Sequence, residues 1–334
     1  MAVQELCHRD DSFQINQLAN PGSWFVRISK PAAVPRVTKS KRAGGCHVKR
    51  QTFLRAAGLL SLSPCAWPAL AQGERLRIGL TAVILADQAA FLARWSAYLS
   101  ERLSLRVGFV TRDEYQPLHD MLGAGAIDAL WTCGFPYVRQ KAQLRLLAVP
   151  VYQGQPTYRA YLVRRSGDGT VRDWSDLRGK VLAYSDPWSN SGWLVAQGQL
   201  AQSGVAPSDL RRSFFAHGHR NVAEAVATGL AHAGSIDGYV WDTMRLQRMD
   251  AVSRTEVIWQ SPLHGFPPIV APLLGAHPKL DALQAALLGM AREENGRALL
   301  RALNLDGFVA GEPARYDSIR QLALSVPGSG VSAP

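Results

Sequence analysis

The sequence contains no apolar run long enough to cross a membrane, because a spanning helix needs about 20 consecutive apolar residues. This absence argues against a membrane-spanning helix. Of its 334 residues, 47% are hydrophobic. That content is sufficient for the packed core of one large domain or two smaller ones.

A short apolar segment near the N-terminus has the features of an export signal. Residues 48–71 begin with basic residues at Lys49–Arg50, continue with an apolar stretch, and end on Ala69–Ala71 before Gln72. This order is typical of a cleaved secretory signal peptide. We therefore expect a signal peptide over 48–71. We expect residues 1–47 to be a disordered extension, produced where the start codon is assigned too early.

Cysteine is also scarce, since it occurs only at positions 7, 46, 65 and 133. The first three positions lie in or before the expected signal peptide. Only Cys133 remains in the expected mature chain, so no internal disulfide can form there. The exported protein is expected to depend on its hydrophobic core for stability.

The mature part of the chain lacks a strong excess of positive charge. The net charge is +11, but residues 1–71 hold ten Lys and Arg against three Asp and Glu. This leaves +4 for residues 72–334. The basic excess therefore lies mostly in the segment expected to be removed, and we expect no nucleic-acid partner.

The motifs of two large enzyme classes are missing. There is no GxxxxGK[ST] phosphate loop and no G-x-S-x-G nucleophile elbow. Ser189 or Ser191 with His219 would form a nucleophile–base pair, but no third acidic residue is evident. His217, His219 and His232 lack a clear further zinc ligand. We expect no catalysis, no cofactor and no metal.

Strand and helix patterns alternate along the mature chain. "RLRIGLT" and "RVGFVT" have the composition of strands, and residues 87–103 place Phe91, Trp95, Tyr98 and Leu99 on one helical face. This alternation predicts an α/β fold with mostly parallel sheets flanked by helices. Open sheets of this kind bind ligands outside the carboxyl ends of their strands.

Two stretches resemble each other and suggest two similarly built lobes. "AIDALW" (126–131) and "SIDGYVW" (235–241) each follow a helix and a Gly, share Ile-Asp, and are predicted to be strands that end in Trp. Five predicted strand ends would converge on a cleft between the lobes: Thr81, "WTCGFPY", "YSDPWSNSG", "FFAHGHR" and "VWD".

The stretch "YSDPWSNSGW" (184–193) lies between a predicted strand and a predicted helix beginning near Leu194. A helix N-terminus has unpaired backbone N–H groups and a partial positive charge. Ser189, Asn190 and Ser191 can add side-chain donors, and Gly192 permits a close backbone approach. The stretch is either an oxyanion site of this kind or a solvated turn in which Ser191 or Asp186 caps the helix.

Six segments, in order, resemble the phosphate, phosphite and phosphonate substrate-binding proteins of ABC transporters. They cover about residues 75 to 325: "IDALWTCGFPYV", "YSDPWSNSGWLV", "HGHRNVAEAV", "SIDGYVWD", "VIWQSPLHGFPPIV" and "IRQLAL". The resemblance implies a two-lobed type II periplasmic binding protein fold. It also implies a periplasmic location, a small oxyanion ligand and an ABC permease as partner.

The resemblance also implies the residues of the site. Ser189, Asn190 and Ser191 would bind the oxyanion, and His219 would add a donor from the second lobe. Cys133, Gly134 and Phe135 form a loop of the first lobe that would close over the ligand. Tyr158, on the crossing segment, would either contact the ligand or pack, and Asp242 is a nearby acidic candidate.

One departure concerns the carboxylates that hold the ammonium group of aminoethylphosphonate in this family. The corresponding positions here are Met244 and Pro267, and Asp242 lies two residues away. Phosphate, phosphite or methylphosphonate is therefore expected in preference to an aminoalkyl ligand. Cys133 leaves an alternative open, because some sensor members of this family bind arsenite with a pocket Cys, and thiolates suit such ligands.

We expect lobe 1 to comprise residues 72–162 and 265–334 and lobe 2 to comprise 163–264, with hinges near 158–164 and 258–268. The predicted function is that of a monomeric periplasmic protein that delivers phosphate, phosphite or a phosphonate to an ABC importer. The alternative is a periplasmic sensor accessory protein that binds arsenite or another oxyanion and signals to a histidine kinase.

Overall fold

The described strands follow one another along the chain with helices between most of them. The computed structural model describes residues 75–81 and 89–332. The strands are β1 Arg75–Leu80, β2 Arg106–Thr111, β3 Ala129–Trp131, β4 Leu144–Val151, β5 Thr157–Tyr158, β6 Ala160–Arg165, β7 Val181–Tyr184, β8 Arg212–Phe215, β9 Ala233–Asp237, β10 Thr255–Gln260, β11 His264–Gly265, β12 Ile269–Pro272 and β13 Gly307–Ala310.

The helices are mostly short. The α-helices are α1 Ala89–Leu103, α2 Tyr115–Gly123, α3 Gly134–Arg139, α4 Val195–Gln202, α5 His219–Ala227, α6 Gly238–Leu246, α7 Asp250–Ser253, α8 Leu280–Gly289, α9 Glu294–Ala302 and α10 Asp317–Ser325. A π-helical turn at Asn190–Leu194 leads directly into α4. Single 3₁₀ turns lie at Lys141–Gln143, Trp174–Leu177, Pro207–Asp209, Met290–Arg292 and Pro313–Tyr316.

The strands form two larger sheets, ordered β13-β4-β12-β3-β1-β2 and β10-β6-β9-β7-β8, and a small pair, β11-β5. The predicted α/β class is confirmed. The sheets are mixed rather than mostly parallel, because only the β2-β1-β3 and β8-β7-β9 parts pair in parallel. The other strands enter from different parts of the chain and pair antiparallel.

The chain passes from the first sheet to the second and back again. It leaves β4 for β6 and returns from β10 to β12, and on these two passages β5 pairs with β11. The predicted lobe boundary at 162/163 falls within β6, all of which pairs in the second sheet. The two passages therefore lie at 152–159 and 261–268. The predicted hinges included β6 and β10 residues, which are held in that sheet.

The predicted face of α1 is confirmed. Phe91, Trp95, Tyr98 and Leu99 are all buried in the core of the first sheet, as a spacing of three to four residues requires. Trp95 packs edge-on against Trp131 of β3 with ring centroids 5.9 Å apart. This packing orients the carboxyl end of β3, which leads into the site described below.

The predicted strand at 235–241 is wrong. β9 ends at Asp237, and Gly238 to Trp241 form the first turn of α6. The β-branched and aromatic composition of this stretch favours a strand. The Asp237 carboxylate overrides that preference, because its Oδ1 accepts a hydrogen bond from the Val240 N–H and caps the helix (3.3 Å). The proposed repeat of "AIDALW" therefore does not extend beyond the Ile-Asp pair.

The predicted signal peptide and extension lie outside the described residues. Within the part that is described, no helix has both the length and the apolar character needed to cross a membrane.

Candidate functional site

The carboxyl ends of strands from both sheets meet at one place. The Asn190 N–H donates to Cys133 Sγ, which follows β3 of the first sheet, at 3.2 Å. The Tyr115 N–H, at the start of α2, donates to Asp186 Oδ2 beyond β7 of the second sheet at 3.2 Å. These contacts join loops from two sheets, so the strand ends form a closed site in which little is exposed.

Ser189, Asn190 and Ser191 form the start of the π-helical turn between β7 and α4, and all three have no exposed surface. Ser189 is the cap of this turn, since its hydroxyl accepts a hydrogen bond from the Gly192 N–H (2.9 Å). Asp186 is also engaged, because its Oδ1 accepts from the Trp188 N–H (2.7 Å). The solvated-turn interpretation therefore does not apply, and Ser191 is not needed as a cap.

Several buried polar atoms in this region have no hydrogen-bond partner among the described residues. They are Ser185 Oγ, Asn190 Oδ1, Ser191 Oγ and Asp237 Oδ2. The Ser191 hydroxyl lies close enough to the Tyr158 phenol to affect its pKa, but makes no hydrogen bond of acceptable geometry. Leaving a buried polar group unpaired costs about 1–3 kcal/mol. Such a cluster leaves hydrogen-bonding capacity that a bound polar ligand or ordered water would satisfy.

Gly192 permits the tight geometry of the turn. A Cβ at this position would overlap Ser185 Oγ and lie 2.7 Å from the Ser185 Cβ. The Gly192 carbonyl also accepts a hydrogen bond from the Ser185 N–H (3.3 Å). The close approach expected at Gly192 is therefore present, and it brings the end of β7 against the turn.

His219 is the first residue of α5 and is completely buried. Its Nδ1 accepts a hydrogen bond from the Asp237 N–H (3.1 Å), so in the neutral ring the proton lies on Nε2. Burial lowers the pKa of His219 to about 3, which keeps the ring neutral. The Nε2–H is 3.4 Å from the Tyr115 hydroxyl, a long contact that leaves this donor available to a ligand.

Asn190, Tyr158 and Cys133 form a connected group. The Asn190 Nδ2 donates to the Tyr158 hydroxyl (2.9 Å), which places the crossing strand β5 directly against the turn. Burial raises the pKa of the Cys133 thiol to about 11, so this group is a neutral thiol at physiological pH. A neutral thiol is a poor ligand for a thiophilic centre.

Gly134 and Phe135 begin α3 and are both buried. A Cβ at Gly134 would meet the Tyr316 ring at 3.1 Å and would overlap Ile319, so Gly134 allows α10 to pack closely. The Phe135 ring stacks on Trp193 with centroids 6.0 Å apart. Both residues shape the wall of the site and offer no side-chain donor.

Asp242 lies apart from the serines. Its Oδ2 accepts hydrogen bonds from the hydroxyls of Tyr152 (2.9 Å) and Tyr161 (3.0 Å). These two tyrosines line a cavity of about 190 Å³, and Tyr158 is also part of its lining. A contact between Asp242 and the ligand stays a prediction.

Three residues at this site were missed: Ser185, Asp237 and Tyr115. Ser185 directly follows β7, so an accurate strand end identifies it. Asp237 is identified by the N-cap signal of α6. Tyr115 enters from a helix more than 70 residues earlier in the chain and carries no sequence signal of its own.

No positive side chain among the described residues is buried at the site. Throughout the described ranges, no Lys or Arg is buried. His217 is half exposed, 3.4 Å from Glu114, and His232 Nδ1 accepts from the Val181 N–H, so neither joins His219. Arg220 pairs with Glu224 as expected (3.0 Å). The arrangement thus provides neutral hydroxyl and imidazole donors.

Comparison with known proteins identifies relatives along most of the chain. Residues 81–316 match the family described as "ABC transporter, phosphonate, periplasmic substrate-binding protein". The phosphonates-binding periplasmic protein of Escherichia coli is 23% identical over 291 residues, which cover 84% of this chain and 86% of that protein.

Solved structures with a similar fold include two proteins of related description. One is a binding protein component of an ABC phosphonate transporter from Pseudomonas aeruginosa, with a TM-score of 0.69, 19% identity, and coverage of 77% of this chain and 88% of that one. The other is a Prochlorococcus marinus protein in complex with methylphosphonate, with a TM-score of 0.66, 17% identity, and coverage of 75% and 97%.

Proposed function

This chain belongs to the family of periplasmic substrate-binding proteins of phosphonate ABC transporters, and on that premise we propose that its buried Ser189–Ser191 turn binds a small phosphorus oxyanion. The observation that carries the proposal is the group of unpartnered buried atoms around this turn, above all the Ser191 hydroxyl. A tetrahedral oxyanion offers several acceptors within a small volume. It can therefore meet donors from the turn and from His219 together.

Neutral donors are sufficient to hold such an anion. Each charge-assisted hydrogen bond contributes about 1.5–3 kcal/mol, and several together support micromolar or tighter binding. Because His219 stays neutral down to about its pKa of 3, its contribution as a donor does not depend on pH near neutrality. The anion is held by oriented dipoles rather than by an ion pair.

The ligand is a small one. The positions that correspond to the family's ammonium-binding carboxylates are Met244, which is fully buried, and Pro267, whose carbonyl accepts a hydrogen bond from Trp131 Nε1 (2.9 Å). Neither provides a negative charge for an amine. Phosphate, phosphite and methylphosphonate therefore fit better than an aminoalkylphosphonate.

The protein acts in transport, with an ABC permease as partner, as a monomer and without catalysis. The neutral Cys133 thiol gives no support to the arsenite-sensing alternative. We assign the two larger sheets to two lobes that close over the ligand by bending at the two passages between them. Loops from both sheets meet at the proposed site, as closure of the two lobes over a ligand requires.

Residues 48–71 would direct export as a signal peptide and be cleaved off, and translation would begin after residue 47. The protein recovered from the periplasm is expected to begin at Gln72, which N-terminal sequencing can determine. A periplasmic protein that retains Trp24 would contradict the assignment of the signal peptide.

Calorimetry with a ligand panel tests the proposed function. Phosphate, phosphite or methylphosphonate is expected to bind with one-to-one stoichiometry and micromolar or tighter affinity. Aminoethylphosphonate is expected to bind more weakly than the best of these, because no carboxylate receives its amine. Arsenite serves as the control for the thiophilic alternative. Binding of arsenite alone would overturn the proposal.

A further inference from the structure

Asp237 is a buried carboxylate with one unused oxygen. It is the last residue of β9 and has no exposed surface. Its Oδ1 caps α6 by accepting from the Val240 N–H, whereas Oδ2 has no hydrogen-bond partner in the part of the chain that the structure describes. A buried carboxylate oxygen without a partner is stable only if it accepts a hydrogen bond from a bound molecule or is itself protonated.

The direction of this side chain follows from its strand. Ser235 and Asp237 are two residues apart, so their side chains project from the same face of β9. The Ser235 hydroxyl donates to the Ser191 carbonyl at 2.6 Å, which shows that this face points to the turn. The Asp237 N–H donates to His219 Nδ1. Asp237 therefore lies between the two elements that carry the proposed oxyanion donors.

Resting on the proposed function, we propose that Asp237 Oδ2 shares one proton with the bound oxyanion and thereby selects the protonation state of the ligand. A ligand that carries an O–H group donates it to the ionised carboxylate. A ligand without an O–H group binds only when Asp237 itself is protonated and donates to a ligand oxygen. Both complexes thus contain one proton between Oδ2 and a ligand oxygen, which comes from the ligand in the first case and from Asp237 in the second.

Burial raises the pKa of Asp237 to about 8, the N–H groups of Val240 and Tyr239 lower it, and the Asp242 carboxylate raises it further. The other groups that face or surround Asp237 from the packed elements are a thiol, an imidazole and phenols: Cys133, His219, Tyr115, Tyr152, Tyr158, Tyr161 and Tyr239. Burial raises the pKa of the thiol and of every phenol, and lowers that of the imidazole. None of these seven groups therefore changes charge between about pH 6 and pH 9.

The consequence is a pH-dependent selectivity. At about pH 9 inorganic phosphate still carries an O–H group, whereas methylphosphonate and sulfate are dianions without one. Phosphate can bind to either form of Asp237, because the protonated carboxyl donates to a phosphate oxygen and the ionised one accepts from the phosphate O–H. Its affinity is therefore expected to be nearly constant between about pH 7 and pH 9. Methylphosphonate and sulfate bind only to protonated Asp237. Their affinities are therefore expected to fall by up to about tenfold per pH unit above pH 8.

The test uses calorimetry on the wild-type protein and on Asp237→Asn, with phosphate, methylphosphonate and sulfate at about pH 7 and pH 9. Asn retains an oxygen that can cap α6, and Asn and Asp are equally good caps, so the variant is expected to fold. Its amide donates to ligand oxygens at any pH. The affinities of methylphosphonate and sulfate for the variant are therefore expected to be the same at both pH values.

Asp128→Asn is the matched control, since Asp128 belongs to the other Ile-Asp pair. Its carboxylate is bound to Arg77 at 3.1 Å, at the opposite end of β3. This variant is expected to keep the wild-type pH profile. The Asp237 variant and the wild type are compared by thermal melting to confirm folding.

Each outcome is decisive. If methylphosphonate or sulfate binds wild-type protein as tightly at pH 9 as at pH 7, the proton-sharing inference is wrong and the proposed function stands. If wild-type protein binds phosphate alone, the Asp237→Asn variant is decisive. Binding of methylphosphonate and sulfate by the variant would support the inference, and failure of the variant to bind them would contradict it. If no phosphorus oxyanion binds at either pH, the proposed function itself fails.

Discussion

Ser191→Ala is expected to lower the affinity for the best phosphorus oxyanion by about tenfold to a hundredfold, which corresponds to about 1.5–3 kcal/mol. The Ser191 hydroxyl is buried and makes no hydrogen bond to any residue in the described ranges, so its removal is expected to take away an interaction made only with the ligand. For the same reason, the free energy of unfolding without ligand is expected to change little. Calorimetry and chemical denaturation measure the two quantities.

Ser189→Ala is the matched control, because the two serines lie in the same turn and are equally buried. The Ser189 hydroxyl is used within the protein, where it accepts from the Gly192 N–H. Its loss is expected to reduce the free energy of unfolding by about 1 kcal/mol, the usual cost of removing an N-cap. If Ser191→Ala binds like wild type, or loses as much stability as Ser189→Ala, the role given to Ser191 is wrong.

Gly192→Ala is expected to have the second large effect. Its Cβ would overlap the Ser185 hydroxyl, and neither the turn nor β7 can move away without opening the site. We expect a loss of about 1–3 kcal/mol in the free energy of unfolding, as overpacking of a buried site usually costs. Affinity is expected to fall about a hundredfold, since Ser185 and Ser191 would both be displaced.

Gly289→Ala provides the comparison for this substitution. A Cβ at Gly289 meets nothing within 4 Å, and the residue lies in the last turn of α8. Alanine is favoured over glycine in a helix by up to about 1 kcal/mol, so this variant is expected to be as stable as wild type or more so, with unchanged affinity. A Gly192→Ala protein with wild-type affinity would show that the close approach of the turn to β7 is not required.

The fold was predictable because its elements have clear periodicity. The apolar face of α1 and the apolar strands β1, β2 and β7 each have the pattern of a single type of element, and the structure contains them. The position of Ser189–Ser191 after a strand also followed from the sequence. Parallel and antiparallel pairing did not, because a strand's own residues carry little information about its neighbours' direction.

The Ser189–Ser191 turn of the site was predictable from the sequence, whereas the residues that face this turn were less so. Asp237 was not identified, because Tyr239, Val240 and Trp241 favour a strand, whereas the N-cap hydrogen bond of Asp237 begins a helix there. Tyr115 could not be found, since only the packing of two sheets brings α2 to the strand ends of the second. Contacts between distant segments leave no local pattern in a sequence.

A crystal structure of the complex with methylphosphonate is the most direct measurement of the central claim. We expect ligand oxygens within about 3 Å of Ser191 Oγ and of His219 Nε2, and one ligand oxygen at the same distance from Asp237 Oδ2. Ligand bound elsewhere, for example in the cavity between Tyr152 and Tyr161, with the Ser191 hydroxyl still unpartnered, would contradict the account.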